Sequence, residues 1–145
     1  MLIGALSPWV VETLRNKHGV QVESAAVTVA RREAHHLGRD AKTTRGAALT
    51  DADLDRLPGI LAVPQAVLFD TQTGDSLIYV FTPTFGVRQK GKIAVRVNFR
   101  EKLKLGKAPR QALTTNSLRS AGYVTAANLR EGRYEYLQGA EGWEE

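Results

Sequence analysis

At 145 residues, with 43% apolar and 24% charged side chains, the chain is sized and composed for one soluble globular domain with its own core. It has no cysteine, which excludes disulfide scaffolds, thiol nucleophiles, zinc fingers and iron–sulfur sites; an all-histidine metal site would need all three of its histidines. No apolar run approaches the roughly 18 residues of a membrane helix, and Glu12, Arg15 and Lys17 interrupt the place of a signal-peptide core, so neither a membrane protein nor a classically secreted one is expected.

Ser7-Pro8 ahead of Trp9, Val10, Thr13 and Leu14 predicts a short helix with a Ser cap and Pro in its first turn, stopping near Gly19. Val20, Val22, Val27 and Val29 suggest short extended stretches, and 31–39 has helical composition. Thr50 caps a further helix, with Asp51 and Asp53 favouring its N-terminal dipole and Leu54 and Leu57 on its apolar side; Pro58-Gly59 ends or bends it. The pattern then becomes strand-like: 66–69, a turn at Thr73-Gly74-Asp75, and 77–81 predict a hairpin. Residues 92–99 alternate, with Ile93, Val95, Val97 and Phe99 on one face and Lys92, Ala94, Arg96 and Asn98 on the other. Segments 113–117 and 123–125 supply another strand or a strand-to-helix junction, and the acidic 140–145 tail is expected to fray. Helices followed by an antiparallel sheet define an α+β class, with 1–139 as a single domain.

Charge is unevenly placed. The net +5 conceals a segment, 86–119, with ten Lys/Arg against the single acid Glu101, flanked by parts with balances of −1 and −3. A +9 block of 34 residues is a candidate polyanion-binding face, because each cation set against a phosphate releases counterions; solvated basic decoration is the plain alternative.

No nucleophile elbow, P-loop, HExxH or EF-hand loop is present, and Asp51, Asp53 and Asp55 are read as a helix's acidic first turn rather than a calcium loop. Histidine, cations and hydroxyls remain, a set that can cleave RNA without a metal or cofactor. RNA brings its own 2′-hydroxyl nucleophile, histidine suits proton transfer near neutral pH, and Lys or Arg stabilises the phosphorane. Adjacent His35 and His36 on a helix point about 100° apart, so at most one faces a given site. Spacing alone carries the reading no further than nucleic-acid binding.

Several short motifs occur in a recognisable order. They are Ile3-Gly4 with Leu6-Ser7, Gly19-Val20-Gln21-Val22, the histidine segment 31–37, 49–54 with 57–61 and Pro64, the strand 92–97, Leu113-Thr114-Thr115-Asn116, and 134–137 before Gly139. This order resembles the phage-associated members of the barnase–EndoU–colicin–RelE-like nuclease superfamily, domains found in phage minor head proteins and polymorphic toxins. The resemblance implies N-terminal helices packed on a roughly four-stranded antiparallel sheet and metal-free cleavage of RNA, tRNA among the targets. It assigns His36, with His35 as alternative, to acid–base work. Lys92 is the strand cation, Thr115 (or Thr114) the phosphate-orienting hydroxyl, and Arg45 and Arg96 bind phosphate. Arg88, Lys90 and Arg119 complete the substrate-binding set from the basic block. The family's second histidine is replaced, since Asp40 or Ala41 stands at its offset.

The expectation is therefore a toxin-type metal-independent endoribonuclease giving a 2′,3′-cyclic phosphate and a 5′-hydroxyl. Its RNA is cytosolic, its delivery as a toxin or with a virion, and its partners an acidic immunity or antitoxin protein and a phage-head or larger toxin polypeptide. The alternative is a catalytically silent, virion-associated nucleic-acid-binding module.

Overall fold

The fold is taken from a computed structural model, which describes residues 2–29, 49–86, 88–103, 107, 109, 111–130, 132–139 and 143; of 101–103 and 111 only the backbone is described. In chain order the elements are β1 (Leu2–Ala5), α1 (Pro8–His18), β2 (Ala26–Thr28), α2 (Asp51–Asp55), α3 (Leu57–Ala62), β3 (Ala66–Asp70), β4 (Ser76–Phe81), β5 (Lys90–Leu103), β6 (Gln111–Val124), a 3-10 turn (Ala126–Arg130) and β7 (Tyr134–Gly139).

The strands form one seven-stranded sheet in the order β1-β2-β6-β5-β4-β3-β7. All neighbours are antiparallel except β2 and β6, which run parallel through Val27 opposite Asn116 and Thr28 opposite Ser117. This corrects the expected four-stranded antiparallel sheet carrying N-terminal helices: the chain is mainly a seven-stranded mixed sheet, with three short helices among the described residues. The N-terminal segment accounts for part of the difference, because it supplies β1 and β2 to the sheet as well as α1.

The local signals act as their chemistry requires. Ser7 Oγ accepts the Val10 N–H at 3.3 Å, and Gly19 closes α1 in the left-handed region at φ 65°, where L side chains are disfavoured. Thr50 Oγ1 likewise accepts the Asp53 N–H. The break between α2 and α3 falls at Arg56, which places Pro58 inside the first turn of α3, where a missing N–H costs nothing.

One sheet face is the main core. Val67, Phe69, Leu77, Tyr79, Ile93, Val95, Val97 and Leu118 pack against Val10 and Leu14 of α1 and Leu57, Ile60 and Leu61 of α3. The Phe81 ring occupies the place of a side chain at its cross-strand partner Gly91, where a Cβ would lie 2.1 Å from the ring. On the opposite face a smaller cluster of Ala66, Leu68, Ile78 and Val80 is covered by Leu129 of the 3-10 turn and by Trp143, a residue of the segment that the sequence gives as a tail. Among the described residues, no helix is long and apolar enough to cross a membrane.

Candidate nucleic-acid interface

Cross-strand partners share a face, so the register of β5 settles which side chains meet. Ile93, Val95 and Val97 point into the main core, as the alternation predicts, and Lys92, Ala94 and Arg96 take the other side. The alternation then breaks. Val97 and Asn98 together stand opposite Asn116 in a bulge, with Asn98 at φ 56°. The extra residue turns Phe99 away from the core face, where the sequence places it, onto the face of Arg96, opposite Thr115.

The bulge is held by side-chain amides. Asn116 Oδ1 accepts the Asn98 N–H at 3.2 Å, and its Nδ2 donates to the Ser24 and Ala26 carbonyls. Asn98 Nδ2 donates to the Gln21 carbonyl at 2.8 Å, while its Oδ1 accepts the Glu23 N–H at 3.0 Å. The two asparagines thus fasten the 21–26 loop to the sheet.

A second irregularity, between Ala94 and Val95, sets Arg119 between Ser120 (opposite Ala94) and Leu118 (opposite Val95). Arg119 reaches Phe99, its guanidinium carbon 4.6 Å from the ring centroid; that of Arg96 lies 5.4 Å from the same ring. Both arginines are exposed and Phe99 is half-buried. Arg96 Nε also donates to Asp75 Oδ2 at 2.9 Å, and the Asp75 carbonyl accepts the Val97 N–H at 2.7 Å. Arg119 has Ser117 Oγ at 3.4 Å and no carboxylate among the described residues. Lys92 has no described carboxylate either; its Nζ is 3.4 Å from the Tyr134 hydroxyl and 5.6 Å from that ring's centre.

Other expected residues are dispersed. Arg88 is exposed, while Lys90 is buried with Nζ 3.4 Å from Gln65 Oε1. Thr114, paired with Arg100, is on the face opposite Phe99. Thr115 is on the cationic face but buried, its hydroxyl 2.7 Å from that of Thr28. Lys92 is opposite Gly122 and Thr115 opposite Phe99, so these rows are about 20 Å apart along the strands at ~3.3 Å per residue. Lys92 and Thr115 therefore do not meet over one phosphate. His35, His36 and Arg45 lie outside the described residues. His18, the described histidine, is stacked on Phe69 at 4.1 Å on the helix-covered side, with Nε2 3.3 Å from Glu135 Oε2.

Two buried carboxylates brace the sheet. Asp70 accepts from Nε and a terminal nitrogen of Arg133 and from the Gln72 and Thr73 N–H groups. Burial pushes its pKa up, but these donors, Arg133 foremost, outweigh burial and hold it below 3.8. Asp53, fully buried, accepts from the Tyr123 hydroxyl at 2.6 Å, Arg56 at 2.8 Å and the Thr84 N–H at 3.2 Å. Burial, followed by that bond to Asp53, raises the Tyr123 phenol above its ordinary 10.0. A groove of about 550 Å³ beside α3, lined by Arg56, Ile60, Val63, Gln65 and Phe81 among others, is removed from the cationic row, and its arginine is already committed to Asp53 and the Thr82 carbonyl.

Sequence reasoning finds Lys92 and Arg96 but misses the partnership of Phe99 and Arg119. The available signal was Asn98, since Asn tolerates the left-handed backbone that a bulge needs. No protein-family model, curated protein or solved structure matches the chain.

Proposed function

We propose that the cationic sheet face binds the phosphate backbone of RNA and that the protein is a metal-independent endoribonuclease of toxin type, acting on cytosolic RNA. The observation that carries this is the exposed pair Arg96 and Arg119 sharing Phe99, with Lys92 further along the same face, all from the basic block. A phosphate on this face meets guanidinium and ammonium donors that stabilise charge developing on its non-bridging oxygens. In the proposed reaction the 2′-oxygen attacks phosphorus and loses its proton to a base, the bond to the 5′-oxygen breaks, and that oxygen is protonated. His36 or His35 is assigned to the proton transfers, and tRNA is the first substrate to test.

The second reading is a catalytically silent nucleic-acid-binding module. The separation of Lys92 from Thr115 and the engagement of the Thr115 hydroxyl by Thr28 favour it. Incubation of the full chain with total tRNA in EDTA across a pH series decides between them. Fragments ending in 2′,3′-cyclic phosphate support cleavage, and their loss in Lys92→Ala, with circular dichroism unchanged, places Lys92 in the site. Intact RNA with salt-sensitive binding selects the silent module. Intact RNA with no binding overturns both.

A further inference from the structure

We infer that the Phe99–Arg96–Arg119 cluster is a stacking step for an unpaired base, which makes single-stranded rather than duplex nucleic acid the ligand of this face. The inference rests on the backbone-binding reading above and narrows it.

Setting an aromatic ring among exposed arginines gains a modest cation–π attraction and, beyond that, offers a surface on which a base can stack. Here two separate irregularities in the ladder create that arrangement. The bulge at Val97–Asn98 brings Phe99 to the cationic face, and the one between Ala94 and Val95 accommodates Arg119. The arginines come from adjacent strands and their guanidinium carbons lie 5.4 and 4.6 Å from one ring. Both guanidinium groups lie within cation–π reach of Phe99, and planar guanidinium and aromatic surfaces are what splayed bases stack on. Bases inside a duplex have both faces occupied by their neighbours and cannot use such a surface. A single strand can set a base on the cluster and lay flanking phosphates on the same cations. Ser120 and Arg119, both exposed beside the cluster, leave this part of the face accessible. Lys92 lies roughly 13 Å further along the strand, beyond Ala94, which packs against the cluster of Leu129 and Trp143, so the stacking step belongs to the Arg96 and Arg119 end of the face.

The test is fluorescence anisotropy with the full chain and 12-mer probes of 2′-O-methyl RNA, which lack the nucleophile and survive any cleavage activity. The single strand is compared with its blunt duplex and with an abasic 12-mer carrying the same phosphates. The inference expects the single strand to bind about tenfold tighter than the duplex or the abasic chain, as one stacked base provides. Phe99→Leu, which keeps an apolar side chain, should bring the single strand down to abasic affinity without altering the salt dependence. Arg119→Ala should also lower the salt slope by about 0.7, one phosphate contact on a single strand. Chemical denaturation of each variant verifies folding, and Phe99→Tyr, which retains a ring, should keep the single-strand preference; its loss in a folded Phe99→Tyr chain would overturn the stacking step even if Phe99→Leu proves unstable. Equal binding of all three probes by the native chain, or full single-strand preference in folded Phe99→Leu, overturns the stacking step while leaving the backbone reading intact. No binding to any probe removes both.

Discussion

Asn98 donates its backbone N–H to the side-chain oxygen of Asn116 at 3.2 Å, and that bond closes the bulge on which the cationic face depends. Asn98 adopts φ 56°, and among the described residues it is the one non-glycine at positive φ. The amide groups of both residues also hold the 21–26 loop, so the re-aiming of Phe99 and the docking of β2 beside β6 share one set of hydrogen bonds.

Substituting Asn98 separates its two contributions. Asn98→Gly keeps the backbone conformation and loses the side-chain bonds to Gln21 and Glu23. Both are exposed hydrogen bonds, so their combined loss is expected to cost about 1 kcal/mol. Asn98→Val adds a β-branched residue in the left-handed region, for a total of about 3 kcal/mol. Urea midpoints of the two variants measure the difference, and equal losses would show that the backbone conformation contributes nothing.

Much of the local structure was legible because local chemistry decides it. The caps at Ser7 and Thr50, the hairpin at 70–76 and the alternation over 92–97 all appear as expected. The seven-stranded sheet was not legible, because β1 and β2 are short and their pairings are non-local. The polar run Thr114-Thr115-Asn116-Ser117 does not alternate by hydropathy, because Asn116 and Thr115 are buried through hydrogen bonds to the β2 region instead of through apolar contact. Phe99 fits its expected pattern until the bulge moves it by one position, and a shift of one residue exchanges faces. The charge block and the alternation place Lys92 and Arg96 on one face without revealing that Phe99 and Arg119 join them there.

Tyr123→Phe removes the hydroxyl that donates to buried Asp53 at 2.6 Å. A carboxylate left one donor short should cost about 2 kcal/mol at pH 7. The phenol's folded pKa is raised, so its contribution is fully present below the unfolded value of 10.0 and falls as pH rises beyond it. The native chain's advantage over Tyr123→Phe should therefore shrink above pH 10.0, as read from urea midpoints on either side of that value. A constant difference would mean that the phenol titrates alike in the folded and unfolded chains.

Asp70 behaves in the opposite sense. Its pKa is depressed in the fold, so its contribution is present above the unfolded value of 3.8 and lost as pH falls through the folded value. Asp70→Asn keeps the shape of the side chain but gives up the charge that faces Arg133. The variant should be less stable than the native chain at pH 7, with the gap closing below pH 3.8. Paired urea titrations from pH 7 to pH 2 provide the measurement, and a gap independent of pH would assign the effect to hydrogen-bond geometry alone.

Asp75 competes with a polyanion for Arg96. Its Oδ2 holds the Arg96 Nε at 2.9 Å, with the two side chains 36% and 50% exposed. A pair this open contributes little to stability, so Asp75→Asn should change the urea midpoint by no more than the equivalent of about 1 kcal/mol. Its effect on binding should be larger in proportion, because the substitution removes a like charge from the path of the phosphate and frees a guanidinium that supports Phe99. Affinity for a single-stranded 2′-O-methyl probe should rise about fivefold at low salt. The gain should decay toward none at 0.5 M salt, where the screening length is only about 4 Å. A gain that survives high salt would mean that Asp75 blocks the face by shape, and no gain at low salt would remove Arg96 from the interface.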